Sequence, residues 1–443
     1  MTTDNPMGSP GVHAELAKRR KAVLPDWLNT LYAEPIDIDH GAGRHVWDAE
    51  GNRYLDFFGG ILTTMTAHAL PEVTAAVSEQ AGKILHSSTL YLNRPMIELA
   101  ERIAEVSGID DPRVFLTSSG TEANDTALLL ATGYRASNQV LALRNSYHGR
   151  SFSSMAVTGN SSWSPTSLSP VQAQYVHGSR RPGAPLADLS DADFVDACVR
   201  DLEDVLDQLH GNVACLIAEP IQGVGGFATP PDGLFARFKE VLDRHGILWI
   251  SDEVQTGWGR TGENFWGWQA HADNGKPDIV TFAKGIGNGL PIGGVVASAE
   301  VMNSVAANSI STFGGSPATA AGALANLDYL LEHDLRANAR HTGAILRAEL
   351  DSALGGIPGV ADVRGKGLMI GVELRWPDGR PAPEMAAEVM EETRRRGVLV
   401  GKGGLSGNVL RIAPLLSVTE SEAREGARVL LDALREVGEA RSS

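Results

Sequence analysis

Short apolar runs alternate with amphipathic stretches through the middle of the chain. Six of these runs have the length of strands buried on both faces, and they cover residues 114–116, 140–143, 215–218, 247–250, 279–282 and 294–297. The stretches between them have helical spacing, as in residues 121–136 and 235–245. This alternation predicts an α/β fold with a largely parallel sheet between helices, in which ligands bind beyond the carboxyl ends of the strands.

The two ends of the chain have a different pattern. A β-hairpin is predicted at residues 45–56, and a strand pair is predicted at residues 367–374 and 398–400. The helices predicted outside the alternating region cover residues 72–85, 96–106, 317–331, 342–354 and 420–437. We therefore expect three parts along the chain, which are an N-terminal segment (1–60), a large domain (61–325) and a smaller α+β domain (326–443).

The composition is that of an ordinary globular enzyme, with 443 residues of which 43% are hydrophobic and 21% are charged. The 54 acidic residues outnumber the 38 Lys and Arg residues, and the net charge of −16 disfavours nucleic acid as a partner. Cys198 and Cys215 form no metal-type or C-x-x-C pair, so we expect neither a metal site nor a disulfide framework. Without a secretory signal or a membrane-spanning run of about 18 apolar residues, the expected location is cytoplasmic and no membrane partner is expected.

Lys284 lies in a run of small and apolar residues, 281–294, that contains five glycines. Burying an ammonium without a partner is costly, so these surroundings suit an amine that loses its charge and acts as a nucleophile. A strand end with a lysine that reaches solvent over a flexible loop explains the same run. Both interpretations stay open on this stretch alone.

Other polar residues follow the predicted strands. Ser119 and Glu122 have the spacing of a capping box, and the start of that helix can bind an anion or can be an ordinary cap. Asp252 ends a core strand, where it can face a cationic ligand nitrogen or cap the next turn. Tyr147 can stack on a flat ligand or fill core, and Glu219 adds a carboxylate at the same edge. Together with Lys284, this set matches the needs of pyridoxal phosphate (PLP).

The sequence resembles the class III (ω-amino acid) aminotransferases of PLP fold type I over residues 47–416. The resemblance rests on eight ordered motifs, which are WDAEGNRYLDFFGGI, SSGTEAND, YHGRS, AEPIQGVGGF, SDEVQTGWGRTG, FAKGIGNGLPIGG, STFGGSPAT and LRIAPLL. It implies a large domain with a mostly parallel, seven-stranded sheet and a smaller domain built from both chain ends. It also implies ping-pong transfer of an amino group from an amino acid to a 2-oxo acid.

The resemblance implies a role for each matching position. Lys284 would hold PLP as a Schiff base and act as the base, Asp252 would face the ring nitrogen, and Tyr147 would stack on the ring. Thr312 would reach the phosphate of the neighbouring subunit, so the active unit would be a homodimer, with pairing into a tetramer left open. The other positions implied to bind the cofactor are Ser119, Gly120, Thr121, His148, Glu219, Val254 and Gln255.

The substrate positions combine features of two branches of the family. Arg411 would hold a substrate α-carboxylate, and Arg150 matches the position that binds the distal carboxylate in the 4-aminobutyrate branch. That branch has Glu at the position of Val224, where it masks the arginine, whereas here nothing masks Arg411. Ile61 is the remaining position expected to contact substrate. The expected donors are β-alanine, 4-aminobutyrate or alanine, and the expected acceptors are pyruvate, glyoxylate or 2-oxoglutarate.

Other functions remain open from the sequence. A PLP-dependent epimerase, decarboxylase or phospho-lyase would use the same scaffold and would turn over without a 2-oxo acid. A PLP-binding protein without catalysis is disfavoured because Lys284 and Asp252 are both present. A nucleotide site at residues 285–294 is disfavoured because the run has neither G-x-G-x-x-G spacing nor the Lys-Ser/Thr of a P-loop.

Overall fold

A computed structural model of the protein describes residues 11–166, 168–271 and 275–442. The strands, β1 to β15 in chain order, are Ile38–Ala42, His45–Asp48, Arg53–Asp56, Pro112–Thr117, Gln139–Leu143, Gln172–Val176, Cys215–Ala218, Leu248–Asp252, Ile279–Phe282, Gly293–Ser298, Val360–Lys366, Met369–Leu374, Val398–Leu399, Gly401–Gly403 and Val409–Ile412. The helices, α1 to α13, are Gly11–Val23, Gly59–Leu62, Pro71–Lys83, Arg94–Val106, Gly120–Arg135, Phe152–Ala156, Asp191–Gln208, Leu234–Arg244, Ala299–Met302, Pro317–Glu332, Leu335–Asp351, Pro383–Arg395 and Glu420–Ser442.

The central sheet has seven strands in the order β4-β10-β9-β8-β7-β5-β6. β10 runs antiparallel to the other six strands, which are parallel to one another, so the predicted, mostly parallel sheet is confirmed. All six strands predicted from apolar runs lie in it. The seventh strand, β6, was not predicted because it lies at the sheet edge, where its first four residues alternate between exposed and partly buried and only Val176 is buried, so that it forms no apolar run.

Helices cover both faces of this sheet, as the alternating pattern predicted. Successive residues of β7 point to opposite faces, so Leu216 packs in one hydrophobic cluster and Ile217 in another. Phe194 of α7 and Phe238 of α8 belong to the first cluster, and Ala127 of α5 belongs to the second. The strands are therefore buried on both sides, which leaves the ends of the sheet as the place for a ligand.

Two further four-stranded sheets are built from the ends of the chain, in the orders β1-β2-β3-β13 and β11-β12-β15-β14. The hairpin predicted at 45–56 forms as β2 and β3. The predicted pairing of 367–374 with 398–400 is wrong: β12 pairs with β11 and β15, whereas β13 pairs with β3 from the other end of the chain. The sequence of a two-residue apolar strand does not indicate which strand it pairs with. Here the partner strand is β3, from the N-terminal segment. The domain limits at residues 60 and 325 stay a prediction.

Each predicted helix forms with differences at its ends, whereas the helices α1, α7 and α12 were not predicted. The helix predicted at 342–354 begins earlier, at Leu335, because Asp334 caps it through a hydrogen bond from Ala337 N to Oδ1 at 3.3 Å. Within the part of the chain that the structure describes, no helix has both the length and the hydropathy needed to cross a membrane.

Candidate active site

The carboxyl ends of the central strands converge on a cavity of about 290 Å³. This volume is near the lower end of small-molecule sites, which enclose roughly 300–1,000 Å³. Ten of the positions singled out from the sequence line it, and they are Ser119, Gly120, Thr121, Tyr147, His148, Glu219, Asp252, Val254, Gln255 and Lys284. Residues separated by up to 165 positions in the chain therefore meet at one edge of the sheet.

The start of helix α5 forms one wall of the cavity. Ser119 caps the helix, with its Oγ accepting from Glu122 N at 3.2 Å. The Glu122 carboxylate accepts from Ser118 N at 2.7 Å, one residue before the donor that a reciprocal capping box uses. A Cβ atom at Gly120 would lie 3.1 Å from each methyl carbon of Val254. Glycine therefore keeps the helix start open, and its first N–H groups can bind an anion.

Asp252 ends strand β8 as a buried carboxylate that is 4% exposed. Its Oδ2 accepts from His148 Nδ1 at 2.7 Å and from Asn124 Nδ2 at 2.8 Å, and its Oδ1 accepts from Val254 N at 3.1 Å. Asn124 was not predicted as a site residue, although it lies one helical turn after Gly120 and so faces the same side of α5. These donors hold the carboxylate in one orientation toward the cavity.

Lys284 stands two residues after strand β9, at the start of a short 3₁₀ turn and with a positive φ of 47°. The side-chain amide of Asn326 donates to Gly285 O and Ile286 O, both at 3.0 Å, and so fixes this turn. Desolvation lowers the pKa of Lys284 to about 8, against the opposing attraction of Asp252. The amine of Lys284 therefore loses its proton much more readily than that of an ordinary lysine.

Glu219 and Tyr147 occupy a neighbouring part of the cavity. The Glu219 carboxylate accepts from Tyr147 N at 3.0 Å and from Gly223 N at 2.8 Å. Burial raises the pKa of Glu219 to about 7, with His148 opposing the shift and Asp252 adding to it. The Tyr147 ring packs edge-on against Trp163 at a centroid distance of 5.4 Å. Tyr147 thus faces the cavity from a supported position and does not fill core.

Arg411 lies beside the cavity, behind Gln255. Its Nη2 donates to Gln255 Oε1 at 2.7 Å, and its guanidinium carbon is 5.2 Å from the Phe58 ring centroid and 4.8 Å from that of Phe227. Desolvation lowers its pKa to about 10, so it stays charged at neutral pH, and Glu219 opposes this shift. Val224 is also buried. Gly403 lies close to both residues, since a Cβ atom there would be 2.7 Å from Arg411 Cδ and 3.0 Å from Val224 O.

Besides Arg411 and Val224, three further positions expected at the site do not line the cavity of a single chain. The side chain of Arg150 is exposed, with its guanidinium carbon 5.3 Å from the Trp27 ring centroid, although Arg150 N donates to Thr121 Oγ1 at 3.4 Å. Thr312 is exposed on the surface, and Ile61 is 47% exposed. Of these three residues, Arg150 alone has a contact with the site within one chain, and that contact is made by its backbone.

The residues present fit PLP. The open start of α5 suits a phosphate, the oriented Asp252 carboxylate suits a protonated pyridine nitrogen, and Lys284 offers an amine with a lowered pKa. One buried nitrogen at the site, His148 Nε2, has no hydrogen-bond partner among the described residues. This arrangement is chemically complementary to each end of the cofactor.

Comparison with known proteins decides the family. The family model described as aminotransferase class-III matches residues 29–434. The chain belongs to the class III aminotransferases. This aminotransferase is 37% identical over 426 residues to the mitochondrial alanine–glyoxylate aminotransferase 2 homolog 2 of Arabidopsis thaliana, covering 95% of this chain and 87% of that protein.

Solved structures agree with this family and with PLP fold type I. An (S)-enantioselective ω-transaminase from Thermomicrobium roseum matches with a TM-score of 0.87 and 34% identity, covering 96% of this aminotransferase and 98% of that chain. A PLP-bound amine transaminase from an uncultivated Pseudomonas species matches with a TM-score of 0.85 and 30% identity, covering 99% of both chains. The family and these structures imply PLP as the cofactor.

Proposed function

We propose that this aminotransferase binds PLP in the strand-end cavity and transfers the amino group of a short amino acid to a small 2-oxo acid. The observation that carries the proposal is the meeting of Lys284, Asp252 and the open start of α5 in one cavity. β-Alanine, other β-amino acids and alanine are the best donors, with 4-aminobutyrate next. Pyruvate and glyoxylate are the acceptors, and 2-oxoglutarate joins them if Arg150 binds its far carboxylate.

The residues divide the work of holding the cofactor and moving protons. Ser119, Gly120 and Thr121 would hold the phosphate, while Tyr147 would lie against the ring. When bound, PLP would supply an electron sink for the substrate carbon that loses a proton. Lys284 Nζ would take and return that proton, because its lowered pKa leaves part of the amine unprotonated near neutral pH. Asp252 would keep a proton at the ring nitrogen, since its carboxylate is held in place by three donors.

The substrate class follows from the charge beside the cavity. Arg411 is buried and charged, and its one hydrogen-bond acceptor in the described part of the chain is the neutral amide of Gln255. An unpaired buried guanidinium is costly, so each half-reaction should place a carboxylate near it. Supporting this proposal, the position that masks the arginine with Glu in the 4-aminobutyrate branch is Val224 here.

The active unit would be a homodimer. Thr312 lies on the exposed surface of the chain, together with Ile310 and Phe313, whose side chains are 58% and 64% exposed. Exposed apolar side chains of this size support a contact with a second copy, which would bring Thr312 to the phosphate of the partner's site.

Two measurements test the cofactor and the reaction. Borohydride reduction of the purified holoenzyme followed by peptide mapping should find a pyridoxyl group on Lys284, and a label on another lysine would contradict the assignment. The kcat/KM values for β-alanine, alanine, 4-aminobutyrate, ornithine and carboxylate-free diamines should then be compared with pyruvate, glyoxylate and 2-oxoglutarate as acceptors. A higher kcat/KM for a diamine than for every short amino acid would refute the substrate class. Turnover without any 2-oxo acid would indicate an epimerase or a lyase.

A further inference from the structure

Arg411 is surrounded by three side chains that come from distant parts of the chain, and we call Phe58, Phe227 and Gln255 the arginine clamp. Two phenyl rings lie 5.2 and 4.8 Å from the guanidinium carbon, and the Gln255 amide oxygen accepts from Nη2 at 2.7 Å. Aromatic faces attract a cation most strongly when both are removed from water. Arg411 is 4% exposed and Phe227 is fully buried, so this condition is met here.

The rings of the clamp are themselves held in place. Phe58 and Phe227 belong to one small hydrophobic cluster, whose other members are Leu62, Ile221, Met369 and Ala413. A ring packed in this way cannot turn aside without opening a cavity in the cluster. The two rings therefore hold the guanidinium in one position.

Three glycines leave the space that the clamp fills. A Cβ atom at Gly401 would overlap the Phe58 ring, and one at Gly223 would overlap the Gln255 amide. At Gly403 the added atom would lie 2.7 Å from Arg411 Cδ, which is closer than real Cβ atoms come to their neighbours. None of these glycines needs a positive φ, so their role here is to provide room.

The carboxylate that acts on Arg411 electrostatically is that of Glu219, and both of its oxygens already accept backbone hydrogen bonds, from Tyr147 N and Gly223 N. Arg411 forms no ion pair with a described residue, and its buried Nε has no hydrogen-bond partner there. Leaving the clamp would cost the guanidinium both ring contacts and the Gln255 bond without a new anionic partner. A ligand carboxylate next to Gln255, which lines the cavity, would give Arg411 the partner that it lacks.

We propose that the clamp keeps Arg411 in the substrate site through both half-reactions, so that Phe58, Phe227 and Gln255 determine specificity for donors and acceptors that carry a carboxylate. This inference rests on the proposed function, because it takes Arg411 as the group that receives the substrate carboxylate. It assigns the rejection of simple amines to residues that touch the arginine and not the reacting carbon.

The test uses the holoenzyme and a matched pair of donors. Alanine and 2-aminopropane differ in that a methyl group replaces the carboxylate, and glyoxylate serves as the acceptor for both. Propionate, an unreactive carboxylate, gives a binding constant by calorimetry that does not depend on turnover. The variants are Phe227→Leu, which removes one ring, and Gly403→Ala, which places a methyl group against Arg411.

Each variant has a control of the same chemistry. Phe238→Leu removes a ring from the core at α8, and Gly133→Ala adds a methyl group in α5 where nothing lies within 4 Å. Phe227→Leu and Gly403→Ala should lower the alanine-to-2-aminopropane ratio of kcat/KM by about tenfold and weaken propionate binding by about fivefold. The two controls should stay within about twofold of the wild type in both quantities.

The outcomes separate the clamp from the role of Arg411. In one outcome, Arg411→Met weakens propionate binding and lowers the alanine-to-2-aminopropane ratio, while Phe227→Leu and Gly403→Ala match their controls. Arg411 then binds the substrate carboxylate, but the proposal that the clamp determines specificity is wrong. If Arg411→Met changes neither quantity, Arg411 does not bind the substrate carboxylate, and the proposal for the clamp is then wrong as well. If Phe227→Leu does not fold, Gly403→Ala alone decides, since it leaves every ring in place.

Discussion

The Asp252→Asn substitution tests the electrostatic centre of the site at almost constant shape. Asp252 Oδ2 accepts two hydrogen bonds, from His148 and Asn124, whereas Oδ1 accepts one, from Val254 N. The new amide should therefore place its oxygen at the Oδ2 position and its NH₂ group at the Oδ1 position. In this orientation only the Val254 bond is lost, and the loss should cost roughly 1–3 kcal/mol of unfolding free energy. The variant should therefore fold.

The expected loss of rate is larger than the loss of stability. A neutral amide cannot pair with a protonated pyridine nitrogen, and losing a buried, hydrogen-bonded charge pair costs roughly 2–5 kcal/mol. Because each 1.4 kcal/mol or so is tenfold in rate, proton transfer should slow by about 30-fold to about 5,000-fold.

Single-turnover reaction of the holoenzyme with alanine, followed by cofactor absorbance, measures this step, and α-deuterated alanine shows whether proton transfer limits it. The control is Asp278→Asn, because Asp278 is a partly buried carboxylate at the amino end of β9, away from the cavity, where it accepts from Trp249 N at 2.7 Å and pairs with Lys239. That control should lose stability but keep its rate. A single-turnover rate within about threefold of the wild type in Asp252→Asn would refute the assigned role.

Three further predictions concern other residues. Burial lowers the pKa of Lys284 to about 8 from an ordinary value of 10.5, so the cofactor-free fold binds fewer protons than the unfolded chain between these pH values. The free energy of unfolding of the cofactor-free protein, measured in urea, should therefore rise across that pH window relative to that of Lys284→Met. The same pH dependence in both proteins would contradict the pKa shift. The protein should sediment as a dimer or larger, with Thr312→Ala weakening PLP binding, and a fully active monomer would exclude that role of Thr312. Arg150→Gln should lower kcat/KM for 2-oxoglutarate by about fivefold and leave pyruvate unchanged, whereas an equal loss for both acceptors would make Arg150 structural.

Local patterns predicted the elements that carry the site because those elements are buried. Strands such as Cys215–Ala218 and Ile279–Phe282 are covered on both faces, so they appear as apolar or largely apolar runs, and the structure reproduces their bounds. The edge strand Gln172–Val176 has one face partly in water, and its mixed pattern escaped prediction. The convergence of ten site positions on one cavity follows from the parallel order of the strands, which the alternation of strands and helices predicted.

The sequence by itself determined the family, the parallel sheet and the residues at its strand ends, because the spacing of apolar, glycine and polar positions is a local property of the chain. Only the tertiary structure decided which distant segments touch. It paired Val398–Leu399 with the N-terminal strand β3, placed Asn124 on Asp252, and enclosed Arg411 between Phe58, Phe227 and Gln255. These contacts join residues 128 to 353 positions apart, and they depend on how whole elements pack, which no local pattern records.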